Sequence, residues 1–175
     1  MISEQYQLLI LQSYTRRLRS WIESFGIVLA IVGFILIYDR NGFFEPLRKS
    51  FDAYHLQWWS VVGYSISAGC VVASFVLGFL VPSAFRVDVN NLSNPNTGSE
   101  NVDTAIIERV LNKIQTIETT ICLLASCPAL IGALLFSIGR PHTVIFIYLG
   151  ISLLTGAIFM PSVSQTERII EKLIS

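Results

Sequence analysis

The chain has 175 residues, of which 53% are hydrophobic and 14% charged, with a net charge of zero and a mean hydropathy of +0.61. That balance is too apolar for an ordinary soluble domain, and with no basic surplus nothing points to a nucleic-acid partner. The length fits a single domain.

Residues 1–20 read as an amphipathic N-terminal helix. Leu11, Tyr14, Leu18, Trp21, Phe25, Val28, Val32 and Ile35 recur at steps of three and four, the heptad spacing that puts one seam on a helix. Arg16, Arg17, Ser20 and Ser24 lie off this seam. The seam runs unbroken into a first span at 21–38, so the spacing predicts one long helix, first in water or at the interface and then in lipid. The polar stretch "YDRNGFF" follows rather than a small-residue cleavage site, which favours a retained anchor over a signal peptide. Arg19 and Glu23, one turn apart, are expected to form an interfacial ion pair.

Residues 39–57 form an outer connection. Leu47, Phe51, Tyr54 and Trp58 share one helical face and Pro46 suits a first turn, which predicts a short interfacial helix. The second span, 58–81, carries two rows of small residues: Ser65, Gly69 and Ala73, and Gly63, Ser67, Cys70, Ser74 and Gly78. Small residues at such spacing let helices approach closely in lipid, and a second row leaves a surface for a further helix.

A flexible cytoplasmic linker is expected at 82–102, opening at Pro82-Ser83. Its Asn91-Leu92-Ser93 resembles a glycosylation acceptor, which the expected cytoplasmic side makes a chance match. A second amphipathic helix is expected at 103–118, with Asp103 as N-cap. There Ile107, Val110, Ile114, Ile117, Ile121 and Leu124 step by three and four, and Glu108, Arg109, Lys113 and Glu118 mark the watery part. The third span is 119–139, with Ala125, Ala129 and Ala133 in a row and Pro128 as an expected kink. The tight turn "IGRPHTV" leads to a fourth span, 143–161, carrying Ser152 and Gly156. Ser164 and Glu167 then fit a capping box. It opens a short C-terminal amphipathic helix, 164–175, with Ile169, Ile170, Leu173 and Ile174 returning to the bundle or the membrane surface.

The expected fold class is therefore an all-α membrane protein. Four transmembrane helices form two hairpins, each preceded by an amphipathic cytoplasmic helix that runs into the first span of its half. The matched endings "GFLVPSAFR" and "AIFMPSVSQ" read as paired exits from the two hairpins. They point either to a diverged duplication or to the repetition that a bilayer imposes on any four-span chain.

With an even number of spans, Lys and Arg divide eight against four. Arg16, Arg17, Arg19, Arg86, Arg109, Lys113, Arg168 and Lys172 fall on the side of the termini; Arg40, Arg48, Lys49 and Arg140 fall on the other. The excess predicts cytoplasmic termini, as in an integral protein of a bacterial inner membrane.

No charged residue lies deep in a span, where catalysis or ion coupling usually leaves one. Cys70, Cys122 and Cys127 read as small buried residues, without Cys/His metal spacing. His55 and His142 fall on the outer side and are weak metal candidates only. Hydroxyl residues lack an acid or base partner. The expectation is no enzyme, no cofactor and no specific small molecule. A non-enzymatic polytopic protein acting through helix association is expected, as a homo-oligomer or as a subunit of a membrane complex. Its partners are then the lipid bilayer and either itself or other subunits. The alternative is an oligomeric pore or small transporter for ions or small solutes.

Overall fold

The computed structural model describes the backbone of residues 4–92, 100–164 and 166, and the side chains of 8–79, 108–164 and 166. Its elements are α1 (Glu4–Arg40), α2 (Glu45–Lys49), α3 (Ala53–Leu92), α4 (Glu100–Ser137) and α5 (His142–Ile158), with no strand among the described residues. Three helical stretches are long and apolar enough to cross a membrane: Leu8–Arg40, Ala53–Phe79 and Glu108–Ser137. α5 is apolar but has 17 residues, about 25 Å of helix against a hydrocarbon core of about 30 Å. It stops short of the expected end at 161 because Pro161 disfavours helical backbone at the residue before it.

The expected long helices are present in both halves: α1 and α4 each run unbroken from polar into apolar sequence, α4 straight through Pro128. Both end in the same way. Gly42 (φ +73°) and Gly139 (φ +117°) take left-handed backbone. Their N–H groups donate to Asp39 and Phe136, and the following N–H groups of Phe43 and Arg140 reach back to Tyr38 and Leu135. This double closure satisfies carbonyls that a helix end leaves orphaned, and glycine reaches the left-handed region without a steric penalty.

Inside the bundle the halves are not equivalent. α4 is the spine, packed on by α1, α3 and α5, while the outer three helices meet one another only marginally. Over the apolar windows, 56% of α4 residues are buried against 17% in α1 and 17% in α3. α5 runs back along α4, from Ile145 beside Phe136 to Ser152, which donates to the Ala125 carbonyl.

Several boundaries differ from those expected. The linker expected from Pro82 is helical to Leu92; a proline removes one donor and strains one turn, but the helix resumes beyond it. The helix thus runs on through "VPS", beyond the apolar stretch that ends at Phe79, whereas Pro161 follows the end of α5. α4 is already helical at Glu100, so Asp103 lies in its first turn, where a carboxylate complements the helix dipole, rather than before it. The outer interfacial helix is only α2, with Pro46 in its first turn, and Tyr54 and Trp58 belong to α3. The capping box at Glu167 and the apolar residues of 167–175 lie outside the described residues, as do 93–99.

The seam of α1 is correct from Trp21 to Ile35 and shifted below it. Ile10 and Arg17 are buried (2% and 1% exposed), whereas Leu11 is 54% exposed and Leu18 half-buried. Stepping back from Trp21 by 3.6 residues per turn lands near positions about 17.4 and about 10.2. A straight helix therefore turns Arg17 and Ile10 toward α4.

Candidate functional site

Arg17 is the most buried large side chain in the polar first part of α1. Its Nη1 donates to Glu118 Oε1 of α4 at 2.8 Å, its Nη2 to Thr166 Oγ1 at 2.8 Å, and its Nε to the Ser13 carbonyl at 3.3 Å. Thr166, 2% exposed, closes the arrangement by donating to the Ser162 carbonyl at 3.1 Å. One guanidinium thus ties together α1, α4 and the chain beyond α5. The second carboxylate oxygen, Glu118 Oε2, is buried with no protein partner among the described residues, as is Nε1 of Trp21 one turn along α1.

A buried guanidinium with one counter-charge is costly to unpair; removing either partner of such a pair destabilises by on the order of 3–5 kcal/mol. Sequence reasoning placed both residues among solvated charges. The signal was present in the helical phase: Arg17 is in step with Trp21, and Glu118 with Leu111, Ile114 and Ile121, all three buried.

At the other end, two arginines read only as outer charges fasten the connections. Arg48 Nη2 lies 2.7 Å from Asp39 Oδ1, an ion pair too skewed for a hydrogen bond, and donates to the Phe136 carbonyl at 3.1 Å. Its guanidinium also lies over the Phe136 ring, 4.9 Å from the centroid. Arg140 reaches Ser60 Oγ at 2.5 Å and the Leu56 carbonyl at 3.3 Å.

The two histidines are engaged locally. His142 packs its ring on Phe136 at 4.8 Å. Asp52 caps α3 by accepting the His55 backbone N–H at 2.8 Å, with His55 Nδ1 2.7 Å away. The backbone N–H, then the ring, holds the Asp52 carboxyl below its ordinary range. Among the described residues no group of three or more His, Cys, Asp or Glu could hold a metal ion.

Arg19 and Glu23 pair at 2.7 Å, both well exposed. All three cysteines are free thiols; Cys122 is buried, and Cys70 and Cys127 face each other across α3 and α4.

The small residues sort into two sets. Gly63, Ser67, Gly78, Ala125, Ala129, Ala133, Ser152 and Gly156 lie in contacts between helices. Ser152 donates to the Ala125 carbonyl across α5 and α4. A Cβ on Gly132 would come within 2.5 Å of Tyr148 Cβ, and one on Gly78 or Gly156 would overlap Phe159 or Phe25. Ser65 and Gly69, by contrast, point outward from α3, and Ala73 is half-buried. A Cβ on Gly69, or on Gly26 and Gly33 of α1, would meet nothing within 4 Å.

The chain matches no protein-family model, no curated protein and no solved structure.

Proposed function

We propose that this is a non-enzymatic integral membrane protein that works by helix association, as a homo-oligomer or as a subunit of a larger membrane complex. The observation that carries this reading is the set of glycines on α1 and α3 that meet no other part of the chain. Gly26 and Gly33 on α1 and Gly69 on α3 have nothing near their Cβ positions, while Gly63, Gly78, Gly132 and Gly156 press on side chains. In lipid, where the hydrophobic effect does not draw helices together, backbone approach at such residues is a principal source of association.

In this reading α5 completes a fourth span, and both termini lie in the cytoplasm of a bacterial cell, with the outer arginines on the far side of the inner membrane. The even count is supported by the meeting of Arg17 of α1 with Thr166, beyond α5, at one end of the bundle, and the cytoplasmic placement of that end by Arg16, Arg17 and Arg19 beside the first apolar run.

The test is the mass and composition of the particle extracted from its native membrane in mild detergent. A multiple of the 19.5 kDa chain, or a particle containing a second protein, is expected. A bare monomer would contradict the proposal.

A further inference from the structure

α3 and α4 run antiparallel, and their register can be followed along the contact. Where the two helices join the turn before α5, Arg140 reaches Ser60 Oγ and the Leu56 carbonyl. About one turn along α3, a Cβ on Gly63 would come within 3.0 Å of Ile131 and Leu135. Further on, Leu77 packs against the cluster that holds Ile121 and Cys122. Cys70 stands midway between Gly63 and Leu77, and Cys127 about midway between Ile131 and Cys122. The register therefore sets these two thiols opposite one another, and they interact directly.

Small residues let the backbones come close at this level. Ser67 and Ser74, about one turn either side of Cys70, are 5% and 0% exposed. Close approach is what a disulfide needs, since its two Cα atoms lie about 4.4–6.8 Å apart. The third cysteine is set apart: Cys122 is 2% exposed in the Trp21 cluster, its thiol turned to Ser24 of α1. Cys70 and Cys127 are half-buried, so each keeps part of its surface at the outside of the bundle. The runs around them, Leu56 to Phe85 and Thr119 to Gly139, carry no Asp, Glu, Lys, Arg or His. In a bilayer such runs lie in hydrocarbon, and an oxidant that meets the pair there has to dissolve in it.

We propose that Cys70 and Cys127 are a redox-active pair, closed to a disulfide by a lipid-soluble quinone, and that the link clamps α3 onto α4. In this step both S–H bonds break and one S–S bond forms. The sulfurs give up two electrons, which pass with the two protons to the quinone oxygens and leave a hydroquinone. α3 holds to the bundle mainly through α4, so the link governs its attachment. It lies within one chain and thus stands or falls separately from helix association, resting on the membrane location alone.

The test treats native membranes holding the full chain with duroquinone, whose ring has no open position for thiol addition, or with oxidised glutathione, which stays in water. Free thiols are then capped and linked peptides are identified by mass spectrometry. The expected result is a Cys70–Cys127 link within one chain, several-fold more abundant with duroquinone, reversed by dithiothreitol, and with Cys122 still free. Cys122→Ser is expected to leave the yield unchanged, and in lipid vesicles hydroquinone is expected to appear in step with the link. No link within the chain, equal yields from the two oxidants, or a link through Cys122 would overturn the proposal.

Discussion

The two halves of the molecule use the same outline for different work. Both begin with a long helix whose polar first part gives way to an apolar run, and both end that helix on a left-handed glycine, Gly42 or Gly139. Yet α4 is buried along most of its apolar length and is touched by every other long helix, while α1 and α3 leave most of theirs exposed. Of the second half α4 is the core, and the long helices of the first half are a coat. What separates them is where residues without bulk point: inward at Gly132 and Ala129 of α4, partly outward at Gly26, Gly33 and Gly69 of α1 and α3. Similar grammar in sequence therefore does not imply similar roles in the fold.

The sharpest break of that arrangement is at the bond between coat and core. Glu118→Leu leaves Arg17 buried without a counter-charge and is expected to cost on the order of 3–5 kcal/mol of stability. Arg17→Met combined with Glu118→Leu is expected to recover most of that loss, since paired apolar replacements often match a buried ion pair. Unfolding in mixed micelles measures both. A double variant as unstable as Glu118→Leu would show that the cluster matters through something other than charge pairing.

Close packing in the core gives the next effect. Gly132→Ala puts a methyl group against Tyr148 and is expected to destabilise by about 1–3 kcal/mol. Gly69→Ala meets open space and is expected to change the stability of the single chain by less than about 0.5 kcal/mol. Similar losses at the two sites would remove the distinction between core and coat.

The likeness of the halves at their outer ends is tested by Gly42→Ala and Gly139→Ala. Each forces a side chain into left-handed backbone and is expected to cost roughly 1–2 kcal/mol, by similar amounts in the two halves.

The smallest effect belongs to Asp52. Its carboxyl is held below the ordinary range by His55, so its contribution is present above the unfolded-state value of about 3.9 and fades as pH falls through the lower folded value. Asp52→Asn keeps an N-cap oxygen and is expected to change stability little at neutral pH while removing this acid-side fading.

Much of this was legible in the sequence because a bilayer imposes long charge-free runs and helices impose a 3.6-residue period. The seam from Trp21 to Ile35 and the continuity of α1 and α4 follow from those constraints alone. Arg17 and Glu118 did not, because a charged side chain is assigned to water by default; only their phase relative to Trp21 and Ile121 marks them as facing inward. Pro82 misled for a related reason, since proline is a probable helix boundary but a helix can resume beyond the one turn it strains. The central place of α4 was also illegible, because periodicity says which face of a helix is apolar and not which helix lies against it.

The most direct measurement sets Gly69→Leu beside Gly132→Leu and records, for each, particle mass in mild detergent and stability of the chain. The account requires Gly69→Leu to reduce the mass while leaving stability near that of the unaltered protein, and Gly132→Leu to lower stability. If Gly69→Leu leaves the particle mass unchanged, the outward face of α3 is not where this protein associates.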